Sequence, residues 1–182
     1  MKPIWRKIKK GSGAPENTRA AFIVLAGDVA EFPATDEFGV RLREKLKLKR
    51  GAAVTEVEIV NNGREYSYES YGELDSRHYK TKFICTHPGT EQESLEFSKS
   101  MLGEDFIIMI PGCSADEPMK ILGDPDAPLE FTSSHKSTKD WQKFTFTFEQ
   151  YQATENVYYL YGGRLPEDST SNFGFIDITM DN

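Results

Sequence analysis

Cys85 and His87 stand two residues apart in FICTHPG. A strand puts alternate side chains on one face, so both could reach one metal ion. A structural zinc site takes four ligands at regular spacing, and no second pair follows; Cys113 is the only other thiol. No metal is expected here, and Cys85 reads as a small core residue. In GDPDAPLE, Asp124, Asp126 and Glu130 offer hard oxygen ligands. The loop lacks the EF-hand spacing and its turn glycine, so calcium is not expected either. Ser114 in GCSAD lacks the G-x-S-x-G setting of a nucleophile elbow. The chain has no phosphate loop, dinucleotide fingerprint or H-E-x-x-H. With 29 acidic residues, carboxylate pairs are plentiful, and nothing marks one as catalytic. The expectation is a structural or binding protein without catalytic residues or cofactor.

The elements that would position these residues are mostly strands. WQKFTFTFEQYQ alternates strictly: Phe144, Phe146 and Phe148 on one face, Lys143, Thr145, Thr147 and Glu149 on the other. RHYKTKFICTHPG (77–89) alternates likewise, with Tyr79, Thr81, Phe83 and Cys85 opposite His78, Lys80, Lys82 and Ile84. AFIVLAG (21–27) reads as a buried strand, and DFIIMI (105–110) as one buried on both faces. AVTEVEIV (53–60) and EYSYESYG (65–72) flank an Asn-Gly turn and read as a hairpin. PMKILG (118–123) and PLEFTS (128–133) are short strands. ENVYYLYGG (155–163) reads as the hairpin partner of 141–152, and FGFIDITM (173–180) as a last strand or a terminal extension.

One helix is expected, over about 90–102. Thr90 with Glu93 makes a capping box, Glu91 and Glu93 sit at the positive end of the dipole, and Gly103 fits the stop. Leu95, Ser98 and Leu102, with Phe97 and Met101 beside them, form its core-facing stripe. Strands, one helix, then more strands predict a mainly β sandwich or barrel with one packed helix. At 182 residues the chain suits a single domain over 21–182, preceded by an arm over 1–20. In that arm Lys2, Arg6, Lys7, Lys9 and Lys10 surround Ile4, Trp5 and Ile8, and GSGAPEN follows as a linker. The arm is either a frayed end or a segment that docks on a neighbour with Trp5 as anchor.

Charge is unevenly spread. The net charge is -7, yet residues 1–50 carry 12 of the 22 Lys/Arg and only 6 of the 29 Asp/Glu. VRLREKLKLKR (40–50) has a period of two, so it reads as a strand. Arg41, Arg43, Lys45, Lys47 and Lys49 share one side, and Val40, Leu42, Leu46 and Leu48 the other. Such a cation row is a solvated face, a guarded edge, or a contact for an acidic surface on another subunit. No aromatic residues interleave with these cations, and the chain is acidic overall, which speaks against nucleic-acid binding. No apolar run approaches the ~20 residues of a membrane helix. The basic N-terminus lacks the apolar core of a secretory signal, and two cysteines make no disulfide framework, so a reduced intracellular site of synthesis is expected.

The order RHYKTKFICTHPGTEQESLEF, FIIMIPGC, ILGDPDAPLEF and FTFTFEQYQATENVYYLYGG resembles tail proteins of phages and prophages of Bacteroides-type bacteria. It is also similar to the tail tube fold shared by phage tail tubes and secretion-system tubes. The resemblance covers roughly residues 20–163. It implies a β-sandwich with one helix that assembles into hexameric rings, stacked as a hollow tube. It implies a virion structural protein, assembled in the host cytoplasm, whose partners are its own copies and other tail proteins. Double-stranded DNA would pass non-specifically, with no membrane and no catalytic residues involved. Thr145, Thr147 and Glu149 would line lumen or solvent. Arg41, Arg43, Lys45 and Lys47 would meet acidic groups such as Glu91 and Glu93 of the next subunit or ring. A tail terminator or head–tail adaptor ring protein is the near alternative. A monomeric β-barrel holding a small apolar ligand is the distant one.

Overall fold

The computed structural model describes residues 20–60, 63–73, 75–88, 92–112, 117–137 and 142–162. The chain begins with β1 (Ala20–Leu25), then a short 3-10 turn, β2 (Val29–Glu31), β3 (Lys47–Leu48), β4 (Thr55–Glu58), β5 (Arg64–Tyr71) and β6 (His78–Pro88). The helix α1 (Gln92–Ser100) follows, then β7 (Asp105–Ile110), β8 (Met119–Leu122), β9 (Leu129–Ser137), β10 (Gln142–Glu149) and β11 (Tyr159–Tyr161). Among the described residues the protein is mainly β, with one α-helix and one large antiparallel sheet.

The sheet forks at β7. One edge of β7 pairs with β1; the other is shared, with Asp105 and Phe106 against β9 and Ile108 to Ile110 against β8. Beyond the fork one branch runs β9-β10-β6-β5, and the other runs through β8 to β11. Past β1, β4 curls round until Val60 N donates to Thr86 O on β6 at 2.9 Å.

This curl encloses the first core, built from the inward faces predicted by period-two alternation. Phe144, Phe146 and Phe148 meet Phe131, Phe106, Phe83 and Cys85, all almost fully buried. Ring centroids 5.1 to 6.0 Å apart, mostly edge-on or tilted, fill the interior. A second core lies on the outer face of β1, β7, β8 and β11. There Leu42, Leu46, Leu48 and Val29 cover Ile107, Met109, Ile121 and Tyr161. β7 is thus buried on both faces, as its unbroken apolar run predicts.

Several pairings depart from expectation. Gly63 N does bond Val60 O at 2.9 Å, but with Gly63 last in that turn and without the positive φ that an Asn-Gly hairpin turn requires. β4 pairs with β1 and β5 with β6, so no hairpin joins β4 to β5. β11 pairs with β8 rather than β10, whose neighbours are β9 and β6. Segment 40–50 is no continuous strand. Arg41 and Leu42 bridge to neighbours, residues 43–46 bend, and only Lys47 and Leu48 form β3. The buried period of Leu42, Leu46 and Leu48 survives, whereas Val40 is exposed. Asp36 turns this segment by accepting bonds from Val40 N and Arg41 N, which hold its carboxyl below the usual range.

The described helix spans Gln92–Ser100 and stops short of 102, and of the expected stripe Phe97, Ser98 and Met101 turn inward. Ser94 is buried, and Phe97 and Met101 pack on the first core, while Leu95 and Leu102 are exposed. The inward spacing is Ser94, Phe97, Ser98, Met101, a regular helical stripe. Thr90, Glu91, Trp5, Cys113, Ser114, the arm over 1–19 and the segment 173–180 lie outside the described residues.

Candidate assembly surface

The branch β9-β10-β6-β5 is an antiparallel four-stranded sheet with two long edges. β5 pairs with β6 alone, so along residues 65–71 its outer edge meets no strand among the described residues. β9 leaves β7 after Phe131, whose N donates to Glu104 O at 2.9 Å, and continues to Ser137 against β10 only. Along residues 132–135 its outer edge meets no described strand either.

Hydrogen-bond phase shows which backbone groups point outward. Thr86 N donates to Gly63 O at 2.7 Å, so alternate β5 residues from Glu65 aim their N–H at β6. The N–H groups of Tyr66, Tyr68 and Ser70 therefore point away from the sheet. On β9, Phe131 N points away from β10, and so do those of Ser133 and His135.

One face of this sheet is the first core. The other is polar and built in cross-strand rows. Thr132, Thr147, Ile84 and Glu65 stand in register; beside them lie Ser134, Thr145 and Thr86, then Glu130, Glu149, Lys82 and Ser67. Thr145, Thr147 and Glu149 thus share one face, as predicted. Lys82 Nζ lies 2.8 Å from a Glu149 oxygen, and that bond raises the lysine above its usual range. On this face Lys82 is held by Glu149 and Lys80 stands opposite Glu69, while Lys136 and Lys143 stand opposite each other, as do Glu130 and Glu149. The face is a hydroxyl-rich band that carries both signs of charge, with like-charge pairs toward the two ends of the β9–β10 ladder.

The cation row sits elsewhere, on the cover over the second core. Arg41, Arg43, Lys45 and Lys47 are all exposed. Lys47 is already engaged, 2.6 Å from Glu31, which raises its Nζ above the usual range, and Lys49 Nζ donates to Gly27 O. Glu93 is exposed on the first turn of α1.

Of the residues weighed as metal or catalytic candidates, Cys85, His87 and Asp124 have structural tasks. Cys85 is buried, and burial pushes its thiol up to about 12. His87 Nδ1 meets Glu58 O at 2.8 Å, Nε2 meets Ser94 Oγ at 3.0 Å, and the ring stacks on Phe146. A carbonyl only accepts, so Nδ1 carries the proton and Nε2 accepts from the serine. Asp124 Oδ1 accepts from Asp126 N and Ala127 N to shape the β8–β9 turn. Its Oδ2 accepts from Tyr159 Oη at 2.7 Å; burial first, then this bond, raises the phenol. Gln150, buried, donates to Ala127 O and accepts from Thr81 N, a crosslink that sequence reasoning missed. Its neighbours Glu149 and Tyr151 gave no sign of it. Among the described residues no three His, Cys, Asp or Glu converge to hold a metal, and no helix is long and apolar enough to cross a membrane. Comparison of the chain with protein-family models, with curated proteins and with solved structures returns no match.

Proposed function

We propose that the protein is a tail tube subunit of a virion, whose copies join edge to edge into rings that stack around a DNA conduit. The observation that carries this reading is the four-stranded sheet whose two edges, along residues 65–71 and 132–135, meet no strand among the described residues. Exposed edges of that length are ordinarily blunted by proline, bulges or a covering loop. Here β5 and β9 run antiparallel to each other, because the sheet has an even number of strands. β5 of one copy set beside β9 of the next therefore continues the antiparallel alternation. A heterologous contact of this kind closes into a ring when the rotation fits. Thr132 and Glu65 lie at the same level across the sheet, and the open runs extend from that level in opposite directions. Joining the copies offsets each along the strand and tilts the strands to the ring axis, which barrel closure requires.

The polar face would then line the lumen. Phosphates bind to blocks of cations, and on this face the lysines are offset by as many glutamates around hydroxyl rows, with Lys82 held by Glu149. A duplex would slide past without being held. The interior packed with phenylalanine rings favours this reading over a small-ligand barrel, which needs a cavity there. Terminator and adaptor rings share the edge-to-edge principle; stacking into long tubes separates the tube subunit from them.

Electron microscopy with solution mass measurement tests the proposal. The expected result is rings or tubes from the unaltered chain. Ser70→Pro and His135→Pro each remove an outward N–H without breaking a bond inside the sheet. Each variant should keep the parent circular dichroism yet stay monomeric. Rings that form unchanged in both variants, or a strict monomer even with a tail initiator complex added, would overturn the reading.

A further inference from the structure

A cleft of ≈ 180 Å³ opens between β4 and α1, lined by Thr55, Glu56, Val57, Glu93, Phe97 and Phe146 among others. Val57, Phe97 and Phe146 make it apolar, and Glu56 and Glu93 are exposed acids at its margin. Its volume falls in the class of cavities that accept an aromatic ring. The β4 edge bordering it pairs with no described strand, since β4 pairs only with β1. An apolar slot with an acidic margin fits a large aromatic side chain flanked by cations.

The chain itself supplies such a segment. Residues 2–10, KPIWRKIKK, hold Trp5 between Ile4 and Ile8 among five cations and no acid. We propose that this basic arm docks into the β4–α1 cleft of its own chain, with Trp5 in the apolar slot and its cations against Glu56 and Glu93. Ala20, the first residue of β1, lies in register with Glu58. The arm is therefore rooted beside the strand that lines the cleft, and Thr55 lies about 10 Å along β4 from that point. Residues 11–19, GSGAPENTR, separate arm from root. Nine residues span up to roughly 30 Å, more than the distance from the root to the cleft. Attachment through so short a linker gives an effective concentration of order mM, favouring the arm's own cleft over a neighbour's. This inference rests on the cleft and the arm alone, independently of ring formation.

The test places a photo-crosslinker in the full chain. p-Benzoylphenylalanine replaces Trp5, dilute protein is irradiated, and the product is sized and mapped by mass spectrometry. The expected product is a crosslinked monomer joining position 5 to residues 55–58 or 92–101. Glu56→Lys with Glu93→Lys should lower the yield by about tenfold, through like-charge repulsion, while leaving the circular dichroism unchanged. Crosslinks scattered over other surfaces, crosslinks confined to covalent dimers, or a yield indifferent to the charge reversal would each overturn the proposal.

Discussion

His87 Nε2 and Ser94 Oγ meet at 3.0 Å, and this bond fastens the helix to the strands. The same imidazole reaches back through Nδ1 to Glu58 O, so one ring ties β6, β4 and α1 together. Ser94→Ala leaves Nε2 without its donor in a part-buried site and should cost about 1–3 kcal/mol. Urea denaturation, read by the shift in midpoint at constant slope, measures it.

Ser98 should respond in the opposite direction. Its Oγ is buried without a hydrogen-bond partner among the described residues. Ser98→Ala removes an unmet hydroxyl and installs a better helix former, a gain of up to about 1 kcal/mol. The same denaturation series checks it, so two serines four positions apart on one helix should shift the midpoint with opposite signs.

Cys85 predicts a pH dependence. Its thiol is raised to about 12 by burial, with Arg64 opposing more weakly. An unfolded thiol ionises near pH 8.5, so between roughly pH 8.5 and 12 the unfolded chain binds fewer protons than the folded one. Stability from this group is full below that window and falls as pH rises through it. In a Cys113→Ser background, the stability difference between the parent and Cys85→Ala should shrink steadily from pH 8 to pH 10.5. A difference constant with pH would contradict the burial account.

For the exposed cations, the prediction concerns stacking of rings rather than their formation. Lys47 is held by Glu31, so Arg41 and Lys45 are the better probes. Arg41→Glu with Lys45→Glu should leave rings intact and shorten or abolish tubes, as measured by particle length in micrographs. Tubes of parent length would remove the cation row from the stacking contact.

Local signals in the sequence read well. Phe144, Phe146 and Phe148 announce their strand and its buried side, and residues 105–110 announce a doubly buried one, because burial writes its own period into the chain. Partner choice was not legible. Gly63 closes a turn onto Val60 that is not the expected Asn-Gly type, and a turn fixes only its own few residues; β1 and β6 outcompete a local hairpin. On the helix, Phe97, Ser98 and Met101 face inward as expected, whereas counting leucines put Leu95 and Leu102 there too, and the polar Ser94 gave no sign of its burial. Segment 40–50 kept the alternation of a strand without its pairing: covering a sheet face asks for buried leucines, not a hydrogen-bonded ladder. The two open edges, which carry the functional proposal, depend on which strands end up outermost. No single stretch of residues encodes that.

The fork at β7 has a kinetic consequence. Three strands converge on Asp105–Ile110, and a separate layer of side chains seals each of its faces. Amide protons of Ile107 to Ile110 can meet solvent only when both halves of the molecule come apart together. They should be the last to exchange with deuterium, reporting global opening, while those of Tyr66, Tyr68 and Ser70 exchange early in the separate chain and are slowed only where copies join as proposed.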